Sequence, residues 1–173
     1  VNHQFVETVF KAMPNSNNEV KRGYDLHTDP YIYSLTGFRF FKSDAQKLAV
    51  YGGINTPEGY TTLISLPTGG GKSLITQTLA YQKSGLTIVI IPTVSLAIDQ
   101  VRVAKATIKS DKVDNEVFSY HSGIDSQPIL SAIRNKVARL LFISPEALIN
   151  NSEFTKVINE ANASRYLKNI IID

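Results

Sequence analysis

Hydrophobic and polar positions along the chain fall into short apolar runs separated by longer stretches with helical spacing. The clearest apolar run, Leu86 to Ile91, lies between Gly85 and Pro92 and is typical of a strand buried on both faces. The runs that predict strands are Thr61 to Leu66, Leu86 to Ile91, Glu116 to Tyr120, Leu140 to Ile143 and Asn169 to Ile172. Helical spacing predicts helices over Ser43 to Tyr51, Ser73 to Gln82, Thr93 to Lys109, Asp125 to Ala138 and Glu153 to Ala161. Gly52 and Gly53 are expected to end the first of these helices. This alternation predicts an α/β fold, a doubly wound, mainly parallel sheet with helices on both faces.

The first 36 residues show a weaker pattern. Gln4 to Met13 suits one short amphipathic helix that Pro14 ends, and residues 19–36 have no firm periodicity. We therefore divide the chain into an N-terminal accessory segment, 1–36, and a main domain, 37–173. Because Asp173 directly follows an apolar run, we expect this chain to be a fragment of a longer protein.

Composition narrows the class of protein. The 173 residues are 43% hydrophobic and 19% charged, which is typical of a globular domain, and no apolar run approaches the roughly 18 residues of a membrane span. Cysteine is absent, which excludes disulfides and zinc–thiolate sites and fits a cytoplasmic protein. The net charge of +3 permits a polyanionic partner without requiring one.

The segment Leu66 to Ser73 has the build of a phosphate-binding loop between a predicted strand and a predicted helix. Glycines let the backbone curl until successive N–H groups face an anion, and the following helix adds its positive end. Lys72 supplies a mobile charge for the β- and γ-phosphates of ATP, and Ser73 a hydroxyl ligand for Mg²⁺. The remaining predicted loop residues are Pro67, Thr68, Gly69, Gly70 and Gly71. A glycine-rich surface loop without function is the alternative.

An adenine site is predicted about twenty residues before this loop. Gln46 lies on a predicted helix beside the aromatic residues Phe38, Phe40 and Phe41. A carboxamide can pair with the N6 and N7 edge of adenine, and a planar base needs an aromatic or guanidinium face. The alternative is that these aromatic residues only fill the core.

Polar residues follow the other predicted strands. In an open parallel sheet, ligands bind beyond the carboxyl ends of the strands. Asp173 closes the last apolar run, where a carboxylate can hold Mg²⁺. Thr93, Ser122 and Ser144 follow three of the others.

Four segments together resemble the first motor domain of a RecQ-like superfamily 2 DNA helicase, over roughly residues 37–173. Leu66 to Ser73 is similar to motif I, in which a leucine stands where the general phosphate loop has glycine. The other segments are Thr87 to Gln100, similar to motif Ia; Leu140 to Leu148, with its Ser-Pro-Glu; and Ile170 to Asp173, similar to the start of motif II.

The resemblance implies a RecA-like P-loop NTPase that binds ATP and Mg²⁺ between this domain and a second RecA-like domain of the same full-length chain. Lys72 would stabilise the transferred phosphate, and Ser73 with Asp173 would hold Mg²⁺. The motif II glutamate and the arginine finger of the family have no counterpart within these residues. The resemblance therefore implies that this chain alone hydrolyses ATP poorly or not at all.

Nucleic acid, DNA by the resemblance, would bind through backbone contacts from the other strand ends. The candidates are Thr93, Ser95, Arg102, Ser122 and Ser144. Helix capping is the alternative for the hydroxyl residues. The adenine motif departs from the family, since Ser43 and Arg39 occupy the positions of its arginine and aromatic residue. Arg39, Phe38 or Phe41 are the candidate stacking partners.

Two other functions remain open at this point. A P-loop enzyme acting on a small molecule and a non-catalytic nucleotide-binding or interaction module would both conserve the loop.

Overall fold

The computed structural model describes residues 26–121 and 123–173. Its helices are α1 Pro30–Thr36, α2 Asp44–Ile54, α3 Lys72–Gln82, α4 Val94–Thr107, α5 Val113–Glu116, α6 Gln127–Arg134, α7 Pro145–Asn150 and α8 Ser152–Ala163. Its strands are β1 Leu86–Ile90, β2 Val117–Tyr120, β3 Leu140–Ile143 and β4 Leu167–Ile172.

The strands form one parallel sheet in the order β2-β3-β1-β4. Ile88 at the centre of β1 lies opposite Leu141 of β3 and Ile170 of β4. All four residues of β3 are buried, as expected for a strand covered on both faces. The predicted α/β class with a parallel sheet is confirmed.

Helices cover both faces of this sheet. One core joins the sheet to α6, α7 and α8, and its largest buried members include Leu141, Ile133 and Phe154. The opposite core joins the sheet to α1, α3 and α4 through residues such as Phe142, Ala80 and Ala104. A third cluster packs α1, α2 and α3 together away from the sheet. Because α3 contributes to two cores, its position is set from both sides.

The predicted strand from Thr61 to Leu66 is wrong for this structure. Within the described residues this segment pairs with no strand, and its side chains before Leu66 are mostly exposed, with Leu63 95% exposed. An isolated strand gains neither apolar burial nor partners for its N–H and C=O groups. The segment therefore runs as irregular backbone into the glycine-rich loop.

Several boundaries also differ from the prediction. Helix α2 continues through Gly52 and Gly53 to Ile54, although the glycines were expected to end it. Helix α6 ends at Arg134 rather than Ala138, because Lys136 adopts a left-handed φ of 57°. Glu116 belongs to the short helix α5 instead of the following strand. Helices α1, α5 and α7 were not predicted.

Part of the predicted accessory segment packs on the main domain. Ile32 of α1 is fully buried and Leu35 is 7% exposed. The predicted helix over Gln4 to Met13 and the candidate Ser122 lie outside the described residues, and the division at residue 36 stays a prediction. Across the described ranges, no helix has the length and apolar character needed to cross a membrane.

Candidate nucleotide site

The loop from Pro67 to Gly71 turns tightly before α3. Gly69 and Gly71 adopt left-handed φ values of 76° and 85°, which side chains other than glycine rarely accept. Between them the Gly70 N–H donates to the Pro67 carbonyl at 2.9 Å, and a Cβ on Gly70 would stand 2.8 Å from that oxygen. The conformation of this turn therefore requires glycine at all three positions.

The N-terminus of α3 opens directly onto this loop. Gly71 is its N-cap and no side chain caps the first turn. The Leu74 N–H donates to the Gly71 carbonyl at 3.1 Å, but the N–H groups of Lys72 and Ser73 before it have no intrahelical acceptor and are available to an anion, which the helix end favours. Lys72 in the same turn is exposed and has no ion-pair partner among the described residues. Loop, helix end and lysine together fit a polyphosphate.

Gln46 of α2 reaches the phosphate loop. Its Nε2 donates to the Gly71 carbonyl at 3.1 Å, and its Oε1 accepts from the Lys42 N–H at 2.7 Å. The side chain is 3% exposed. A carboxamide has two donor hydrogens and two acceptor lone pairs, so one of each remains for a ligand. In this structure Gln46 braces the loop, and its predicted contact with adenine stays a prediction.

Ser73 also has a partner on another helix. Its hydroxyl donates to Oε1 of Gln100 on α4 at 3.0 Å. Gln100 stands in the segment similar to motif Ia but was not predicted as a site residue. The sequence signals for it are its place at the end of that segment and its position one turn beyond Leu96 and Ala97 on the helix.

Asp173 follows β4, and its N–H donates to the Ile90 carbonyl at 3.1 Å. Its carboxylate therefore stands at the carboxyl edge of the sheet, as predicted, and is exposed. No hydrogen bond joins it to Ser73 within the described residues. The described residues also contain no group of three or more Asp, Glu, His or Cys side chains that could hold a metal ion by themselves. A bound Mg²⁺ would therefore need phosphate oxygens as well as these two side chains.

The residues proposed for adenine stacking separate into exposed and buried ones. Phe41 is 3% exposed and packs edge-on against Tyr51 with ring centroids 5.9 Å apart, so its position favours the core-filling alternative. Phe38 and Arg39 are exposed. Phe40 is exposed and lies against the His27 ring, 4.4 Å between centroids, a pair that was not predicted.

The residues predicted to contact nucleic acid also divide into buried and exposed ones. Ser144 is 6% exposed and caps α7 by accepting from the Ala147 N–H at 3.2 Å, which favours the capping alternative. Thr93 caps α4 through the Leu96 N–H but is exposed. Ser95 and Arg102 are exposed, and Arg102 pairs with Asp99 at 3.2 Å. Thr93, Ser95 and Arg102 thus remain accessible on α4.

The far end of α3 is held by Arg139, which precedes β3. Its Nη2 donates to the carbonyls of Tyr81 and Lys83 at 3.3 and 3.1 Å, and its guanidinium lies 4.9 Å from the centroid of the Tyr81 ring. The Tyr81 hydroxyl donates to Glu116 at 2.7 Å. Burial, followed by this hydrogen bond, raises the pKa of Tyr81 above its ordinary value. A cation at the C-terminal end of a helix is also favoured by the helix dipole.

The chain matches a known protein family and several relatives. The family model described as DEAD/DEAH box helicase matches residues 43–173. The chain is 32% identical over 148 residues to the ATP-dependent DNA helicase hus2/rqh1 of Schizosaccharomyces pombe, which covers 82% of this chain and 10% of that protein.

Two further relatives are similar. The ATP-dependent helicase SGS1 of Saccharomyces cerevisiae is 30% identical over 155 residues, 87% of this chain and 10% of that protein. The probable ATP-dependent DNA helicase RecS of Bacillus subtilis is 33% identical over 117 residues, 68% of this chain and 22% of that protein. The chain thus spans only a minor part of these relatives.

Proposed function

Because the chain belongs to the DEAD/DEAH box helicase family, we propose that it is the ATP-binding motor domain of an ATP-dependent DNA helicase or translocase. The conformation of the phosphate loop supports this most directly. Its left-handed glycines, the uncapped first turn of α3 and the exposed Lys72 form a site for a polyphosphate. The relatives named above are ATP-dependent helicases, two of them named DNA helicases.

Each loop residue has a separate part in this proposal. The N–H groups at the start of α3 hold the phosphate oxygens in place before the reaction begins. Lys72, on a flexible stem with no competing partner in the described chain, follows the charge that develops on the β- and γ-phosphates. The residues therefore position and neutralise the triphosphate.

Ser73 and Asp173 would hold Mg²⁺. When bound, this ion neutralises charge on the β- and γ-phosphates. The hydroxyl of Ser73 and the carboxylate of Asp173 are oxygen ligands, which suit Mg²⁺; Ser73 lies in the first turn of α3, and Asp173 directly follows β4.

Adenine and nucleic acid would occupy neighbouring surfaces. Gln46 has hydrogen-bonding capacity left for adenine, and Arg39, Phe38 and Phe40 expose planar groups for stacking. Thr93, Ser95 and Arg102 on α4 would contact a DNA backbone.

We further propose that a second RecA-like domain of the full-length chain completes the ATP site. In this proposal the protein is cytoplasmic, and the absence of cysteine fits that location.

ATP hydrolysis by the full-length protein, measured with and without single-stranded DNA, tests the proposal. We expect DNA to stimulate hydrolysis, and Lys72→Ala to lower the rate at least about 100-fold because a charge aimed at the phosphates is lost. Lys83→Ala, the same change at the exposed far end of α3, is the matched control and should keep the wild-type rate.

The two alternatives give other results. A P-loop enzyme acting on a small molecule would hydrolyse ATP at a rate that DNA leaves unchanged. A non-catalytic module would bind ATP through the same loop without turnover.

A further inference from the structure

The hydrogen bond between Ser73 and Gln100 links the proposed metal ligand to helix α4. Oγ of Ser73 lies 3.0 Å from Oε1 of Gln100 and is the donor of this bond. A serine hydroxyl has one proton and two lone pairs. With the proton directed at Gln100, both lone pairs are free to face a cation.

We propose that Gln100 is a positioning residue for Mg²⁺, acting through the hydroxyl of Ser73. This inference rests on the proposed function, in which Ser73 is a metal ligand. Coordination to a cation draws electron density from the hydroxyl and makes it a stronger hydrogen-bond donor, so the acceptor opposite the ion gains importance when the ion binds.

Without Gln100 the hydroxyl has a competing arrangement. A serine hydroxyl whose proton has no fixed acceptor can rotate about its C–O bond, so the proton can turn toward the place that a cation would occupy. In that orientation fewer lone pairs face the cation. Gln100 supplies a fixed acceptor from a neighbouring helix, and it does so without adding charge.

The position of Gln100 is fixed by the packing of α4. Gln100 lies three residues after Ala97 and four before Ala104. Both alanines are buried, with exposed fractions of 1% and 0%. These spacings place the three residues on one side of the helix. Gln100 is itself partly buried, so its side chain is held between α4 and α3 instead of moving freely in water. The acceptor is thus set in place before any ion arrives.

The test uses the full-length protein and a fluorescent, non-hydrolysable ATP analogue, whose dissociation constant is measured in EDTA and in saturating Mg²⁺. The ratio of the two constants is the Mg²⁺ enhancement. Gln100→Met keeps the length of the side chain and removes the acceptor. We expect it to lower the enhancement about 10-fold, within the range for partners of metal ligands, and to leave the affinity in EDTA within about twofold of wild type.

Two variants separate this role from a structural one. Gln100→Glu retains an oxygen acceptor and should restore the enhancement. In a Ser73→Ala background, Gln100→Met should have no further effect, because the hydroxyl that it positions is absent. Gln82→Met, at the exposed end of α3, is the matched control and should behave as wild type.

Each other outcome overturns the inference. An unchanged enhancement in Gln100→Met overturns it while leaving the proposed function intact, and so does an equal loss of affinity with and without Mg²⁺. A wild-type protein that binds no nucleotide, or gains nothing from Mg²⁺, overturns the proposed function and this inference with it. If Gln100→Met does not fold, Gln100→Asn, which withdraws the acceptor by one methylene, is held to the same expectations.

Discussion

At the scale of single residues, Gly71 and Gln46 constrain each other. Gly71 has a left-handed φ of 85°, and a Cβ on it would overlap Nε2 of Gln46, the atom that donates to its carbonyl. A glycine is therefore required at this position both by the backbone and by the neighbouring side chain. The pair ties α2 to the phosphate loop.

We expect Gly71→Ala to weaken nucleotide binding more than about 10-fold, since the added methyl displaces Gln46 and the left-handed backbone costs roughly 1–2 kcal/mol for alanine. Gly59→Ala is the matched control: Gly59 has a φ of 82°, but nothing lies within 4 Å of its Cβ position. Gly59→Ala should lose only the stability that the left-handed backbone costs, less than Gly71→Ala loses, and should keep the affinity for nucleotide. Fluorescence titration with an ATP analogue and urea unfolding measure the two effects. Equal affinities for both variants would contradict this account.

Buried tyrosines predict how stability depends on alkaline pH. Burial raises the pKa of Tyr31 and of Tyr166 to about 12 and that of Tyr81 beyond its ordinary value. An unfolded chain ionises its tyrosines near pH 10. Because the folded-state pKa values are the higher ones, this stabilisation is complete below about pH 10 and is lost as the pH rises toward 12.

The free energy of unfolding of the chain should thus be level between pH 8 and about 9.5 and fall above pH 10. Tyr81→Phe should make that fall less steep, whereas Tyr60→Phe, at a side chain that is 75% exposed, should leave it unchanged. Urea unfolding at a series of pH values gives the slopes. A Tyr81→Phe slope equal to that of wild type would show that Tyr81 does not contribute.

At the scale of elements, α3 is the helix that joins the site to the rest of the fold. Its start forms the proposed phosphate site, its end is capped by Arg139, and its sides pack on the sheet and on α2. Close approach to α2 depends on Gly53, whose Cβ position lies 3.3 Å from Cδ1 of Leu79 and 3.5 Å from Cγ2 of Ile75. Glycines that were predicted to end α2 instead let it approach α3 closely.

The neighbouring glycines give a matched pair of variants. Gly52→Ala should stabilise the chain by about 0.5–1 kcal/mol, because the site is helical and nothing lies within 4 Å of the added methyl. Gly53→Ala gains the same entropy term but crowds Leu79 and Ile75, so it should be less stable than Gly52→Ala by roughly 1 kcal/mol. Urea unfolding midpoints compare them. Equal stabilisation would mean that α2 and α3 can separate without cost.

At the scale of the whole molecule, the sheet has an apolar edge at β4. No strand in the described residues pairs with the outer side of β4, and its Ile170 and Ile172 are 58% and 81% exposed. The unpaired segment before the phosphate loop contributes Leu63, 95% exposed. Unpaired strand edges with exposed apolar side chains favour association.

We expect the 173-residue chain to self-associate at tens of micromolar, and Ile172→Lys to reduce this by placing a charge on the edge. Ile149→Lys, at a residue 77% exposed on α7, is the control for a charge placed elsewhere and should leave the association unchanged. Sedimentation velocity measures the species present. A wild-type chain that stays monomeric over this range would contradict the prediction.

The sequence by itself determined the class of fold and the chemistry of the loop, because both depend on local patterns. A short, continuous apolar run such as Leu140–Ile143 is typical of a strand buried on both faces. Consecutive glycines before Lys72 and Ser73 allow the left-handed φ values that the loop adopts. Only the tertiary structure decided what depends on distant neighbours: that Thr61 to Leu66 finds no strand partner, that Phe41 and Ser144 are buried, and that Gln46 and Gln100 reach Gly71 and Ser73. Such contacts join residues 25 and 27 positions apart, and no spacing within one helix or strand specifies them.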